Sequence, residues 1–97
     1  MSRVQLSIVV PAYKQEKQIV KNLQDLDGVL KGMGVSYEII CVVDGFLDKT
    51  FEKAKSIVSK NIKVIGYPNN SGKGFAVRYG MSHASGSIIG FVDSGEL

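Results

Sequence analysis

Four short polar segments hold most of the side chains able to do chemistry: "PAYKQE" at 11–16, "DGFLDKT" at 44–50, "PNNSGKG" at 68–74 and "DSGEL" at 93–97. Their carboxylates Asp44, Asp93 and Glu96 can accept hydrogen bonds from a ligand's ring nitrogens or hydroxyls, or present oxygen to a divalent cation, which hard metals require. Gly72 and Gly74 let backbone approach a bound group, Lys73 and Arg78 bring positive charge for an anion, and a helix start follows them. Tyr13 offers a ring for stacking. Each feature also has a structural reading: the glycine-rich segment as a plain helix-entry turn, Asp48 as a helix cap, Tyr13 as a half-buried ring, His83 as a surface residue.

Two phosphate-binding motifs are excluded. Five residues separate Gly66 from Gly72 where a P-loop has four, and Gly74 stands where a Ser or Thr would hold magnesium. A dinucleotide fingerprint fails because the first apolar run is followed by Pro11 and Tyr13, with no glycine.

The elements that must position these segments alternate in type. "LSIVV" (6–10), ended by Pro11, "YEIICVVD" (37–44), "IKVIGY" (62–67) and "SIIGFVD" (87–93) are apolar runs rich in β-branched residues, each expected to be a strand. Between them, Ile19, Leu23, Leu26, Leu30 and Met33 form the stripe of an amphipathic helix stopped by Gly32 and Gly34. A second helix is expected after Asp48 with Phe51, Ala54 and Ile57 inward and Val58 beside them. A third carries Ala76, Val77, Gly80, Met81 and Ala84 as far as Gly86. Strands separated by helices of this length predict a three-layer α/β/α domain with a mainly parallel sheet and right-handed crossovers. All four polar segments then fall beyond the C-terminal strand ends, where such sheets bind ligands.

Composition narrows the class. The 97 residues make one domain; 44% are apolar and 22% charged, values of a globular chain rather than a disordered one. The net charge of +3 comes from scattered lysines, with no arginine cluster or aromatic interleaving, so nucleic acid is not an expected partner. The single cysteine, Cys41, precludes an internal disulfide and sits in an apolar run, so it is expected to be a buried, inert thiol in a reducing compartment. No run is long enough for a signal peptide or membrane span, and the expected location is cytoplasmic.

Taken in order, "VVPAYKQE", "YEIICVVDGFLDKT", "NNSGKGFAVRYG" and "GSIIGFVDSGE" resemble the N-terminal, nucleotide-sugar-binding part of the family 2 glycosyltransferases of GT-A fold, closest to the dolichyl-phosphate mannose and glucose synthases. The resemblance implies that Pro11, Ala12, Tyr13 and Glu16 cradle the base and ribose, and that Asp44 binds the base. It places Gly72, Lys73 and Arg78 near the ribose and phosphates, and Asp93 at a magnesium or manganese ion on the sugar diphosphate. It also implies strand order 3-2-1-4 and a donor half of a truncated domain, inactive alone, with the acceptor base in residues outside it.

The implied reaction moves a hexose from a UDP- or GDP-sugar, with a polyprenyl or dolichyl phosphate or a glycan as acceptor, in a full-length protein at the cytoplasmic face of a membrane. Two departures, Val43 and Gly95 in place of carboxylates, support an alternative: a non-catalytic α/β binding or assembly module. The last strand, as a sheet edge, predicts a homo-oligomer through "SIIGFV".

Overall fold

The computed structural model describes residues 3–94; Glu96 and Gly95, named above, lie outside the described residues. Strands and helices alternate as β1 (Leu6–Ala12), α1 (Ile19–Gly32), β2 (Tyr37–Asp44), α2 (Thr50–Lys55), β3 (Ile62–Tyr67), α3 (Lys73–Ser82) and β4 (Ile88–Phe91). The strands form one parallel sheet in the order β3-β2-β1-β4, as expected.

Strand pleating divides the core in two. From β2, buried along its whole length, Ile39, Cys41 and Val43 join Val10 and Ala12 against Ile19, Leu23 and Leu30 of α1 and Ala54 of α2. The intervening residues Ile40 and Val42 join Val9 on the opposite face and meet Ala76 of α3. The result is the three-layer arrangement. Gly80 sets the distance between α3 and the sheet, because a Cβ there would lie 2.4 Å from Val9 Cγ1 and 2.9 Å from Val42 Cγ2. Burial pushes the Cys41 thiol up to about 12, as suits an inert core residue.

Several expected boundaries shift. Strand β1 runs through Pro11 to Ala12 rather than ending at the proline. The Val9 carbonyl accepts from Val92 N, so the edge of β1 toward β4 is the one Pro11 also faces; β4 has run out there and no N–H is required. Helix α1 closes at Gly32, which leaves Met33 57% exposed. Helix α2 stops at Lys55, where Ser56 Oγ donates to the Lys53 carbonyl, and Val58, expected beside the inner face, is 100% exposed. Helix α3 stops at Ser82, short of Gly86, and β4 spans only Ile88–Phe91.

A buried polar cluster locks the sheet at the N-terminal strand ends. Glu38 Oε2 accepts from Ser7 Oγ (2.6 Å), Ser85 N (2.7 Å) and Ser85 Oγ (3.0 Å), while Gly86 N donates to Ser7 Oγ (2.8 Å). Lys63 Nζ lies 3.1 Å from Glu38 Oε1. Burial alone would raise the Glu38 carboxyl; the donors from Ser7, Ser85 and Lys63 outweigh it and bring it down to about 2. Strand β4 differs from the other three: Ile88, Ile89 and Phe91 are 68%, 41% and 49% exposed.

Candidate functional site

The four polar segments are tied to one another on the rim beyond the C-terminal strand ends. Asp48 Oδ1 accepts from Thr50 N (2.9 Å) and Thr50 Oγ1 (2.6 Å) in the turn leading into α2, but the cap position falls to Lys49 and no side chain caps the helix, so the expected cap is not formed. Burial would raise the Asp48 carboxyl, but the two Thr50 donors outweigh it and hold it below the usual carboxylate range. The buried Thr50 hydroxyl also accepts from Gln15 N at 2.8 Å, so the segment after β1 is fastened to the one after β2.

A cavity of about 370 Å³ opens on this rim and draws residues from all four segments: Pro11, Ala12, Tyr13 and Gln15, then Asp44, then Asn70, Gly72 and Lys73, then Asp93. Its volume lies within the range of small-molecule sites. Seven of the nine residues expected to bind a ligand therefore meet in one place: Pro11, Ala12, Tyr13, Asp44, Gly72, Lys73 and Asp93. Tyr13 remains 45% exposed, with Lys14 Nζ 5.5 Å above its ring.

Glu16 and Arg78 are placed elsewhere. Lys14 takes a left-handed conformation (φ 49°), after which Gln15 lines the cavity and Glu16 Oε1 accepts from Lys49 N at 3.3 Å, in a separate polar depression shared with Asp48. Arg78 lies five residues after Lys73, a rotation of about 140° around a helix. Its side chain is exposed and reaches back to Gly74, outside the cavity.

Asp44 is 4% exposed and its oxygens are already engaged. Oδ1 accepts from Tyr67 OH (2.8 Å) and Ser71 N (2.7 Å), and Oδ2 from Gly72 N (3.2 Å). The carboxylate thus anchors the glycine-rich loop beneath the start of α3 and retains one of its four lone-pair positions for a ligand. Gly72 precedes α3 at φ 93°, a backbone conformation that requires glycine, and no side chain caps the helix. Gly72 and Lys73, at the start of α3, both line the cavity, an arrangement suited to an anion.

Lys73 Nζ lies 3.1 Å from Asp93 Oδ2 and 5.7 Å above the Phe91 ring. Asp93 is held from behind, since Asn22 Nδ2 of α1 donates to the carbonyl of the next residue, Ser94, at 2.8 Å. No cluster of three His, Cys, Asp or Glu side chains gathers among the described residues. The Asp93 carboxylate suits a magnesium-type ion that shares phosphate oxygens and water, because such ions bind through one or two carboxylates.

Sequence reasoning passed over Gln15, Tyr67 and Asn22. Asn22 carried a signal, a polar residue beside Leu23 on the inner stripe of α1; Tyr67 looked like the last apolar residue of a strand.

The sequence profile described as glycosyl transferase family 2 matches residues 7–94. A dolichyl-phosphate beta-glucosyltransferase of Trichomonas vaginalis is 36% identical over 98 residues, covering 94% of this chain and 30% of that protein. Among solved structures, S. aureus TarS (residues 1–349) superposes with a TM-score of 0.72 at 29% identity, over 94% of this chain and 27% of that one. The mannosyltransferase PcManGT of Pyrobaculum calidifontis, solved in complex with GDP-Man and Mn2+, gives 0.74 at 19% identity, over 97% of this chain and 28% of that one, a likeness of fold. The chain spans less than a third of the length of each. With the parallel 3-2-1-4 sheet of a GT-A domain and a match running from β1 to the residue after Asp93, this chain belongs to glycosyl transferase family 2.

Proposed function

We propose that the rim cavity binds the nucleoside diphosphate of a UDP- or GDP-sugar and that the whole protein transfers the hexose to a lipid phosphate. The observation that carries this reading is the uncapped, glycine-led start of α3 beside Lys73, opening onto a cavity lined by Asp44 and Asp93. The dolichyl-phosphate acceptor in the name of the Trichomonas relative supports the lipid phosphate, and the GDP-Man held by PcManGT supports the donor class.

Breaking the sugar's bond to the diphosphate leaves a highly charged leaving group. The start of α3, with Gly72 and Lys73 both in the cavity lining, stabilises that charge. Tyr13 and Pro11 shape the side where the base would stack. Asp93 would hold a divalent cation, magnesium or manganese, jointly with the diphosphate, and when bound the cation supplies further positive charge to the departing oxygens. Lys73 would then exchange its contact with Asp93 for one with phosphate.

The test is a thermal-shift titration with UDP, GDP, UDP-glucose and GDP-mannose, each with and without manganese. Saturation at a hundred times the dissociation constant is expected to add about 2.7 kcal/mol of stability. Lys73→Ala is expected to weaken binding about tenfold, the loss of one charge-assisted contact. The absence of a shift with every ligand would sink the reading and favour the non-catalytic module to which Val43 points.

The whole protein is proposed to act at the cytoplasmic face of a membrane, where a lipid phosphate is met; no helix among the described residues is long and apolar enough to cross one. The exposed Ile88, Ile89 and Phe91 on β4 further support self-association through this edge. Sedimentation velocity is expected to show a dimer or larger species that Phe91→Glu dissociates; a monomer at all concentrations would refute it.

A further inference from the structure

We infer that Tyr67 is a positioning residue for this cavity: its hydroxyl fixes the Asp44 carboxylate in the orientation that ties down the Ser71 and Gly72 amides, and so sets how the start of α3 meets a diphosphate. The role for the ligand rests on the donor reading above; the role for the loop stands on geometry alone.

Asp44 and Tyr67 are partners across the β2–β3 ladder, each the last residue of its strand. The hydroxyl donates to Oδ1 at 2.8 Å, beside the Ser71 amide at 2.7 Å, and these two donors fill the lone pairs of that oxygen. Gly72 N, at 3.2 Å from Oδ2, closes the loop on the other oxygen. With the Tyr67 donor removed, Oδ1 loses one of its two fixed partners and the carboxylate can turn about its terminal torsion, which is broad and weakly restrained.

The ring is fixed as firmly as the hydroxyl. Phe75 and Tyr79, both on α3, meet it edge-on at 5.1 Å and 5.2 Å between centroids. Tyr67 thereby touches both the strand carboxylate that anchors the loop and the helix that the loop begins. Burial and the neighbouring Asp44 raise its hydroxyl above the ordinary tyrosine value, so it stays a protonated donor throughout the neutral range.

Two variants separate the hydroxyl from the ring. Tyr67→Phe keeps the aromatic contacts and loses the hydrogen bond; Tyr67→Leu loses both. Amide hydrogen exchange is followed at Ser71 and Gly72, and affinity is read for UDP-glucose and GDP-mannose. Tyr67→Phe is expected to speed exchange at those two amides about tenfold, as losing one hydrogen bond to a charged group implies, leave β2 and α1 unchanged, and weaken donor binding roughly fivefold, a part of that loss. Unchanged exchange in Tyr67→Phe, with impairment only in Tyr67→Leu, would overturn the inference and reduce Tyr67 to packing. Exchange that rises equally across α3 and the core would overturn it as well. If the wild-type chain binds neither donor, the donor reading fails, and exchange at Ser71 and Gly72 alone decides the positioning role.

Discussion

Replacing Asp44 with alanine is expected to cost about 3–5 kcal/mol of folding stability and to abolish nucleotide binding, with most of the stability loss present when no ligand is added. The magnitude follows from three donors left without an acceptor, two of them backbone amides, at about 1–3 kcal/mol each with partial recovery by water. The carboxylate is 4% exposed, so solvent reaches the site only if the loop moves. Asp44→Asn sharpens the test. An amide has one acceptor oxygen, so in either orientation its NH2 group faces at least one donor, Gly72 N on one side or Ser71 N and Tyr67 OH on the other. Denaturant unfolding without ligand, set beside affinity for UDP-glucose and GDP-mannose, separates two roles. Stability and binding falling together mark a loop anchor; binding lost at unchanged stability would make Asp44 a reader of the base and overturn the anchor.

The second large effect concerns acid. Glu38 drops from the model-peptide carboxyl value of 4.5 to about 2 in the folded chain, so its network contributes in full above pH 4.5. That contribution is lost as the pH falls from 4.5 through 2, because the unfolded chain takes up the proton first. The shift corresponds to about 3 kcal/mol. Glu38→Gln is expected to lower stability at pH 7 by about 1–3 kcal/mol, since Oε2 can be replaced by the amide oxygen while the partner of Lys63 becomes an uncharged NH2 group. The difference between wild type and variant should then shrink toward zero below pH 2. Melting temperatures recorded between pH 7 and 2 check this; parallel curves for the two proteins would show that the network carries no pH-dependent stability.

The sheet was legible because the strands announce themselves independently. Four β-branched apolar runs separated by helix-length segments imply a parallel sheet with right-handed crossovers, while the order with β1 inside was implied by the family resemblance. The cavity was legible for the same reason: a parallel sheet brings every post-strand segment to one rim, so Pro11, Asp44, Gly72 and Asp93 had to be neighbours. What could not be read were the facings within that rim. One left-handed residue, Lys14, decides that Gln15 and not Glu16 lines the cavity. Arg78 shares a loop motif with Lys73, yet helical rotation carries it away. The role of Asp44 was hidden because its partners Ser71 and Gly72 lie 27 and 28 residues away and meet it only after β3 is paired. Val58 was misplaced because a six-residue α2 ends before it can turn that side chain inward.

The position of Asp93 has a mechanical meaning. One wall of the cavity is built on β1 and β2, each clasped by a strand on both sides, which favours stiffness. The opposite wall hangs from β4, which is clasped on one side only among the described residues and steadied further by the Asn22 contact to Ser94. A cavity with one stiff and one compliant wall behaves like a vice: its jaw spacing is set from outside, by whatever braces the second jaw. Any strand laid along β4 would therefore be expected to tune the reach of Asp93 toward Lys73 without touching either residue, and the proposed assembly and the ligand affinity would then report the same displacement.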